Sequence, residues 1–312
     1  MTKILITGAS GHVGTALVRQ LIASQHDVIA TDIRKSDGFP EGAQFEKLDV
    51  TGNDASRLIT EHKPDTVVHL ASIVTPPKGA SRKFLYDVDV QGTQNVLSSC
   101  IEAGVKRLVV TSSGAAYGYH PENKTALVET DPIRGNVEFA YAHHKRLAEE
   151  LLAETRESHP SLEQVILRVG TVLGDGVENQ ITSLFHKPRL LALWGCDSAF
   201  VFIWTKDLAN ILTRAATNGP VGIFNVAGDG ALTIREIASV MEKPVLSLPA
   251  SLLKAALALA KPLGLSIYGP EQVRFLQYRP VLNNQALKES FGYIPEKTSR
   301  EIFLHWWDWA KP

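Results

Sequence analysis

The constraint that dominates this sequence is a rhythm: short runs rich in Val, Ile and Leu alternate with amphipathic stretches along the first two thirds of the chain. The runs Lys3–Thr7, Asp27–Thr31, Gln44–Leu48, Thr66–Leu70, Arg107–Thr111 and Gln164–Arg168 are about five residues each, as strands buried on both faces should be. Helical patterns over Val13–Ser24, Asp54–His62, Arg82–Ala103 and Val137–Ser158 separate them. Strand, helix, strand repeated in this way closes as right-handed crossovers on a parallel sheet. The spacing predicts an α/β fold built on a doubly wound parallel sheet.

After Arg168 the pattern loosens. Strand-like runs Phe200–Ile203 and Gly222–Val226 mix with helical patterns over Thr205–Thr217, Thr233–Met241, Ser251–Lys261 and Ser299–Trp309. We expect residues 1–175 to form the main domain, with 200–226 returning to it. Residues 176–312 then form mainly a smaller lobe over the carboxyl ends of the strands. The chain of 312 residues is long enough to bury a core without staples. Its 32 Lys and Arg against 33 Asp and Glu give a net charge of −1, which excludes binding nucleic acid or an anionic membrane by bulk charge. Two distant cysteines, Cys100 and Cys196, fit a reducing compartment. The most apolar run, Leu252 to Leu265, is broken by Lys254, Lys261 and Pro262 and falls short of the roughly 20 residues of a membrane span. Ile4 to Gly8 is too short for a signal segment. The ten histidines show no metal-ligand spacing. A cytoplasmic protein with a small-molecule substrate, no metal, no nucleic-acid partner and no membrane is the expectation.

Thr7-Gly8-Ala9-Ser10-Gly11-His12-Val13-Gly14 follows the first strand and opens the first helix. Glycines suit a tight turn, a close backbone approach to a pyrophosphate, and close helix–strand contact. The helix N-terminus adds free N–H groups and partial positive charge. Asp32, at the end of the second strand, is placed to accept both ribose hydroxyls and to repel a 2′-phosphate, so NAD is favoured over NADP. Arg34 and Lys35 are the side chains that could reach a 2′-phosphate. Asp49 and Val50 stand where the third strand would touch the adenine, although Asp49 is equally placed to cap a turn.

Tyr141-Ala142-His143-His144-Lys145 puts a phenol and an ammonium four residues apart on one helix face. A phenol is a poor base at neutral pH, and a nearby ammonium stabilises its anion. Tyr141 can then exchange a hydroxyl proton while hydride moves at the adjacent carbon, with Lys145 also holding a ribose. Thr111-Ser112-Ser113-Gly114-Ala115-Ala116-Tyr117-Gly118 ends the fifth strand. There Ser113, or alternatively Ser112, can bind the same substrate oxygen. His143 and His144 read as structural, and Trp306, Trp307 and Trp309 as packing residues.

With these motifs in order, the sequence resembles the extended short-chain dehydrogenase/reductase superfamily, in its NAD-dependent epimerase/dehydratase branch. The resemblance rests on Thr7–Gly14, Asp32, Asp49, His69-Leu70-Ala71, Gly92-Thr93 with Asn95, Ser112-Ser113 with Tyr117-Gly118, Tyr141 with Lys145, and Arg168 with Gly174. Weaker matches follow at Asp207-Leu208-Ala209, Phe224-Asn225-Val226 and Phe291-Gly292-Tyr293 with Pro295. It implies a Rossmann domain, a small substrate lobe and a Ser113–Tyr141–Lys145 catalytic set. It implies NAD contacts from Gly8, Ser10, Gly11, His12, Val13, Gly14, Asp32, Arg34, Asp49, Val50, Leu70, Ala71, Ser72, Thr111, Tyr141, Lys145 and Arg168. It also implies substrate contacts from Ser113, Tyr141, Thr171 and Trp204, and a homodimer pairing helices 82–103 and 137–158.

Three departures narrow the chemistry. Gly114 and Ala115 stand where sugar dehydratases of this branch carry an Asp-Glu pair. Thr171 replaces an Asn, and Phe200 stands where an arginine would meet a diphosphate; Arg279-Pro280 is out of place for the later arginine. The apolar stretches Leu190–Trp194, Phe200–Trp204 and Ser251–Leu265 are similar to the branch that handles less charged alcohols and ketones, and much of them should be core. The reading is therefore an NAD-dependent oxidoreductase acting on a secondary alcohol or ketone. A nucleotide-sugar 4-epimerase is the alternative. A non-catalytic dinucleotide sensor is the third, weakened because Tyr141 and Lys145 are both present.

Overall fold

The computed structural model describes residues 1–266 and 269–311. Its centre is a seven-stranded parallel sheet ordered β11-β6-β5-β4-β1-β2-β3. Here β1 is Lys3–Thr7, β2 Asp27–Asp32, β3 Gln44–Lys47, β4 Thr66–His69, β5 Arg107–Ser113, β6 Glu163–Val169 and β11 Gly222–Val226. The order reverses between β1 and β4, which opens a crevice at the carboxyl ends of the strands where ligands bind in such sheets.

Both sheet faces are covered, which is why the strands read as unbroken apolar runs. On one face α1 (His12–Ala23) and α7 (Thr205–Thr217) bury Leu17, Val18, Leu21, Leu208, Ile211 and Leu212 against Ile4, Ile6, Val109 and Leu167. On the other, α2 (Asp54–His62), α4 (Gly92–Glu102) and α5 (Ala140–Ser158) bury Leu58, Ile59, Val96, Leu97 and Leu152 against Leu5, Val67, Leu108 and Ile166. The helix expected over Arg82–Ala103 is interrupted. It consists of α3 (Arg82–Tyr86), a π-helical turn at Asp87–Gln91, and α4. Such wide turns gather at functional sites, and here the turn carries Asp89.

The remaining elements are β7 (Thr171–Leu173), α6 (Gln180–Phe185), β8 (Leu190–Leu193), β9 (Ala199–Phe200), β10 (Phe202–Trp204), β12 (Leu232–Thr233), α8 (Ile234–Val240), β13 (Val245–Leu248), α9 (Ala250–Ala260), α10 (Gln272–Gln277), α11 (Gln285–Glu289) and α12 (Ser299–Ala310). They hold a separate apolar cluster around Phe185, Phe200, Phe202, Phe303 and Trp306. Reciprocal Thr–Glu capping boxes start α8 (Thr233, Glu236) and α12 (Thr298, Glu301), each worth about 1 kcal/mol. Of the last-helix tryptophans only Trp306 is fully buried, its Nε1 donating to the Val177 carbonyl, whereas Trp309 is exposed. The apolar stretch around α9 is not core either. No residue of α9 is buried, and Leu252, Leu259, Leu263 and Leu265 are exposed.

Candidate active site

The loop after β1 is built on two close approaches. Gly8 has φ of +72°, and a Cβ there would lie 2.7 Å from the Ala71 nitrogen. A Cβ on Gly14 would lie 2.3 Å from the Gly8 carbonyl oxygen. Neither position admits a side chain, so the loop folds onto itself and onto the turn after β4. Gly11 caps α1 without a side-chain bond, so the first N–H groups of the helix at His12 and Val13 open onto the crevice. His12 Nε2 lies 2.9 Å from Thr205 Oγ1 at the start of α7.

Asp32 accepts from the Ser10 N–H at 3.0 Å and from the Ile33 N–H at 2.7 Å. Ser10 in turn donates its hydroxyl to the Arg34 carbonyl at 2.7 Å. Lys35 lies over the rings of Phe39 and Phe45, 5.7 and 5.9 Å from their centroids, and so turns toward the sheet edge. Asp49 caps a turn, accepting from the Thr51 N–H and hydroxyl with one oxygen. Val50 is buried against Gly92, and its carbonyl accepts from Asn95 Nδ2.

Tyr141 and Lys145 share one face of α5, with Lys145 Nζ 5.6 Å from the centre of the Tyr141 ring. The buried Lys145 donates to the Thr111 carbonyl at 2.9 Å, which fixes it against the end of β5. Two residues on, Ser113 is half-buried and its Oγ accepts from the Ala115 N–H, starting the tight turn Gly114–Tyr117. Ser112 points the other way: it is buried and donates to Glu149 at 2.5 Å. Of the two serines, Ser113 is the one not engaged with Glu149. Nearby Tyr119 is buried, which pushes its phenol well above the usual value, with a smaller push from Tyr141.

Beneath these groups runs a buried polar network that the sequence reading missed. Asp89 accepts from Ser72 Oγ and the Ile73 N–H, both at 2.9 Å, and from His144 Nδ1 at 3.1 Å. Burial works against this carboxylate, but the His144 bond, the Lys145 charge and the Ile73 and Ser72 donors together hold it below the ordinary range. His69 joins Thr7 Oγ1 at 2.7 Å to Thr93 Oγ1 at 3.1 Å. Burial, and then the Lys145 charge, lower His69 to about 3, so it is neutral. Because Thr93 gives its own proton to the Asp89 carbonyl, His69 carries its proton on Nε2 and accepts from Thr7. The signal was present in the run His69-Leu70-Ala71-Ser72. No sequence rule pairs it with a histidine on α5.

Arg168, implied as a cofactor contact, is engaged by the protein itself. It is buried, its Nε and Nη2 meet the Glu149 carboxylate at 2.7 to 3.1 Å, and its Nη1 donates to Tyr117 Oη and the Glu129 carbonyl. This guanidinium is committed to the framework. Trp204 is similarly occupied, with Lys297 and Lys206 near its ring (4.6 and 5.1 Å) and His305 at its edge. Thr171 sits in β7, paired with Phe202. Arg279 is the surprise. It stacks 3.8 Å over the Phe200 ring and also faces Phe275. Its Nη1 donates to the Ser198 carbonyl, while its Nε is buried without a partner. Burial lowers it to about 10.

The profile of the NAD dependent epimerase/dehydratase family matches residues 4–227. The chain belongs to that family. An uncharacterized Mycobacterium tuberculosis protein is 24% identical over 307 residues, covering 96% of this chain and 82% of its own. The sterol-4-alpha-carboxylate 3-dehydrogenase, decarboxylating, of Saccharomyces cerevisiae is 31% identical over 200 residues, covering 60% of this chain and 56% of its own. Among solved structures, the UDP-glucose 4-epimerase of Thermus thermophilus in complex with NAD has a TM-score of 0.75 at 24% identity, covering 98% of both chains. The Thermotoga maritima UDP-glucose 4-epimerase with UDP-glucose has a TM-score of 0.76 at 19% identity, covering 98% of both. These likenesses fix the Rossmann-like fold. This family member is an NAD-dependent enzyme, and among its described residues no helix is long and apolar enough to cross a membrane.

Proposed function

We propose that this protein transfers hydride between NAD and a secondary alcohol or ketone, with Tyr141 as acid/base, Lys145 as its electrostatic partner and Ser113 as the anchor of the substrate oxygen. The observation that carries this is the fixing of Lys145 between Tyr141 and the Thr111 carbonyl, beside Ser113. The cradle supports NAD: two glycines that exclude any Cβ, an open helix N-terminus, and Asp32 in place of a phosphate-binding cation. Gly8, Ser10, Gly11, His12, Val13 and Gly14 would hold the pyrophosphate, and Asp32 the adenosine ribose. Arg34, Val50 and the turn Leu70–Ser72 line the same crevice in this reading. When bound, the nicotinamide accepts or returns a hydride at the substrate carbon. Tyr141 moves the hydroxyl proton at Oη, the Lys145 ammonium stabilises the resulting negative charge, and Ser113 orients the oxygen.

Gly114 and Ala115 argue against dehydration, since neither supplies the acid/base side chain of an Asp-Glu pair. Arg279 supports a second reading. Its unpartnered Nε edge suits a carboxylate or phosphate, so the cation missing at Phe200 is supplied from across the lobe. A nucleotide-sugar 4-epimerase remains the alternative on that ground. A homodimer is part of the proposal, supported by the exposed Tyr86 and the half-buried Leu147 and Leu151 along the groove between α3 and α5.

Denaturing the purified protein and identifying the released dinucleotide by mass tests the reading. Little retained cofactor, with NADH appearing on a panel of secondary alcohols, is the expected result. Stoichiometric retained NAD with UDP binding that is lost in Arg279→Leu would move the epimerase ahead. Retained NADP would overturn the cofactor assignment.

A further inference from the structure

The buried charges around Lys145 do not balance in the contacts it makes directly. Its ammonium is held by a neutral carbonyl, Thr111 O, and no ion pair to it is found among the described residues. Glu149, one helical turn away, is engaged with Arg168. The remaining buried carboxylate within electrostatic reach is Asp89, 4% exposed. It stands on the π-helical turn Asp87–Gln91, and the wide turn brings this carboxylate to face α5 rather than the helix's own next turn.

Every element around Asp89 contributes to how it is held. From the turn after β4 come Ser72 Oγ and the Ile73 N–H. From α5 come His144 and the Lys145 charge. From β4 comes His69, neutral, whose link to Thr93 on α4 ends on the Asp89 backbone. From α3 the ring of Tyr86 meets the edge of His144 at 5.7 Å. Asp87, the other acid of the turn, pairs with Lys83 on the outside, and Arg82 donates to the Val137 carbonyl ahead of α5. Because Asp89 is a carboxylate and accepts only, His144 must donate, so its proton sits on Nδ1. The ring orientation is thereby set, one residue before Lys145.

We propose that Asp89 and His144 are a positioning pair for the Tyr141–Lys145 couple: His144 fixes the rotation of α5 against the turn Ser72–Ile73, and Asp89 supplies the buried counter-charge to the Lys145 ammonium. The inference rests on the acid/base reading of Tyr141 and goes beyond it, since neither residue belongs to the Ser113–Tyr141–Lys145 set. It accounts for a buried carboxylate and polar network that a merely structural contact would not require, because an apolar pair of the same shape is as stable or more so.

The test follows tyrosine ionisation by absorbance near 295 nm as the purified protein is titrated, with Tyr141→Phe identifying the share of Tyr141 by difference. Asp89→Asn keeps the shape and removes the charge. With that anion gone, the midpoint of the Tyr141 share should move down by about half a unit to one unit, a 3- to 10-fold larger ionisation constant. His144→Gln, which leaves the carboxylate in place, should move it by less than about 0.2 unit by the same reasoning. Circular dichroism checks the fold, and Asp89→Ser serves as the second charge-removing variant if Asp89→Asn does not fold. A folded charge-removing variant whose midpoint stays put or rises overturns the pair's role. If the Tyr141 share of the parent ionises like a free phenol, the acid/base reading itself falls, and this inference with it.

Discussion

Replacing Glu149 by Gln leaves the Arg168 guanidinium buried without its counter-charge. The Arg168 and Glu149 side chains are 5% and 3% exposed and meet through three N–O contacts of 2.7 to 3.1 Å. Ser112 loses a charged acceptor in the same stroke. Breaking one side of a buried, hydrogen-bonded pair costs about 3–5 kcal/mol. At about 2 °C per kcal/mol for a chain of this size, Tm should fall by roughly 6–10 °C. Replacing both partners by apolar residues (Arg168→Met with Glu149→Leu) should recover much of that loss, because no buried charge is then left unpaired. Thermal unfolding reads the stability, and equilibrium dialysis with NAD reads the crevice. The account expects unchanged NAD affinity in each folded variant, since Arg168 points into the framework. Refutation would be Arg168→Met with parental Tm and NAD affinity weakened tenfold: the arginine would then be a cofactor ligand.

Two further outcomes are expected. Gly14→Ala places a methyl 2.3 Å from the Gly8 carbonyl oxygen, so the loop must shift. NAD affinity by isothermal titration should fall at least about tenfold, with a stability loss of about 1–3 kcal/mol. His69 is held down at about 3 in the folded chain, so its contribution to stability is complete above its unfolded value near 6.5 and is lost as pH falls toward 3. From this group alone, urea unfolding should show about 1.3 kcal/mol less stability at pH 5.5 than at pH 7, a share that His69→Gln should remove, leaving that of His12 and His143, which burial also lowers.

The parallel sheet was legible because burial on both faces leaves an uninterrupted apolar run, and all seven of its strands stand within two residues of their expected bounds. The glycine loop was legible because excluding a Cβ leaves few residue choices. The partner of Arg168 was not legible, because an arginine at a strand end looks the same whether a ligand or a protein group meets it, and Glu149 lies on a distant helix. Arg279 stands at the wrong place along the chain for its family motif, yet folding stacks it on Phe200, the position at which the family's arginine is missing. The network through His69, Asp89 and His144 joins four elements and has no local pattern. The exposed face of α9 defeats composition altogether, since leucines outside and leucines in a core read alike.

The most direct test of the central claim is the turnover of Tyr141→Phe, followed as NADH at 340 nm on an alcohol that the parent oxidises, alongside NAD affinity. The account predicts a rate at least about a hundredfold lower, because a positioned acid/base contributes on that order, with NAD affinity and fold retained. A variant that turns over at the parental rate would contradict it.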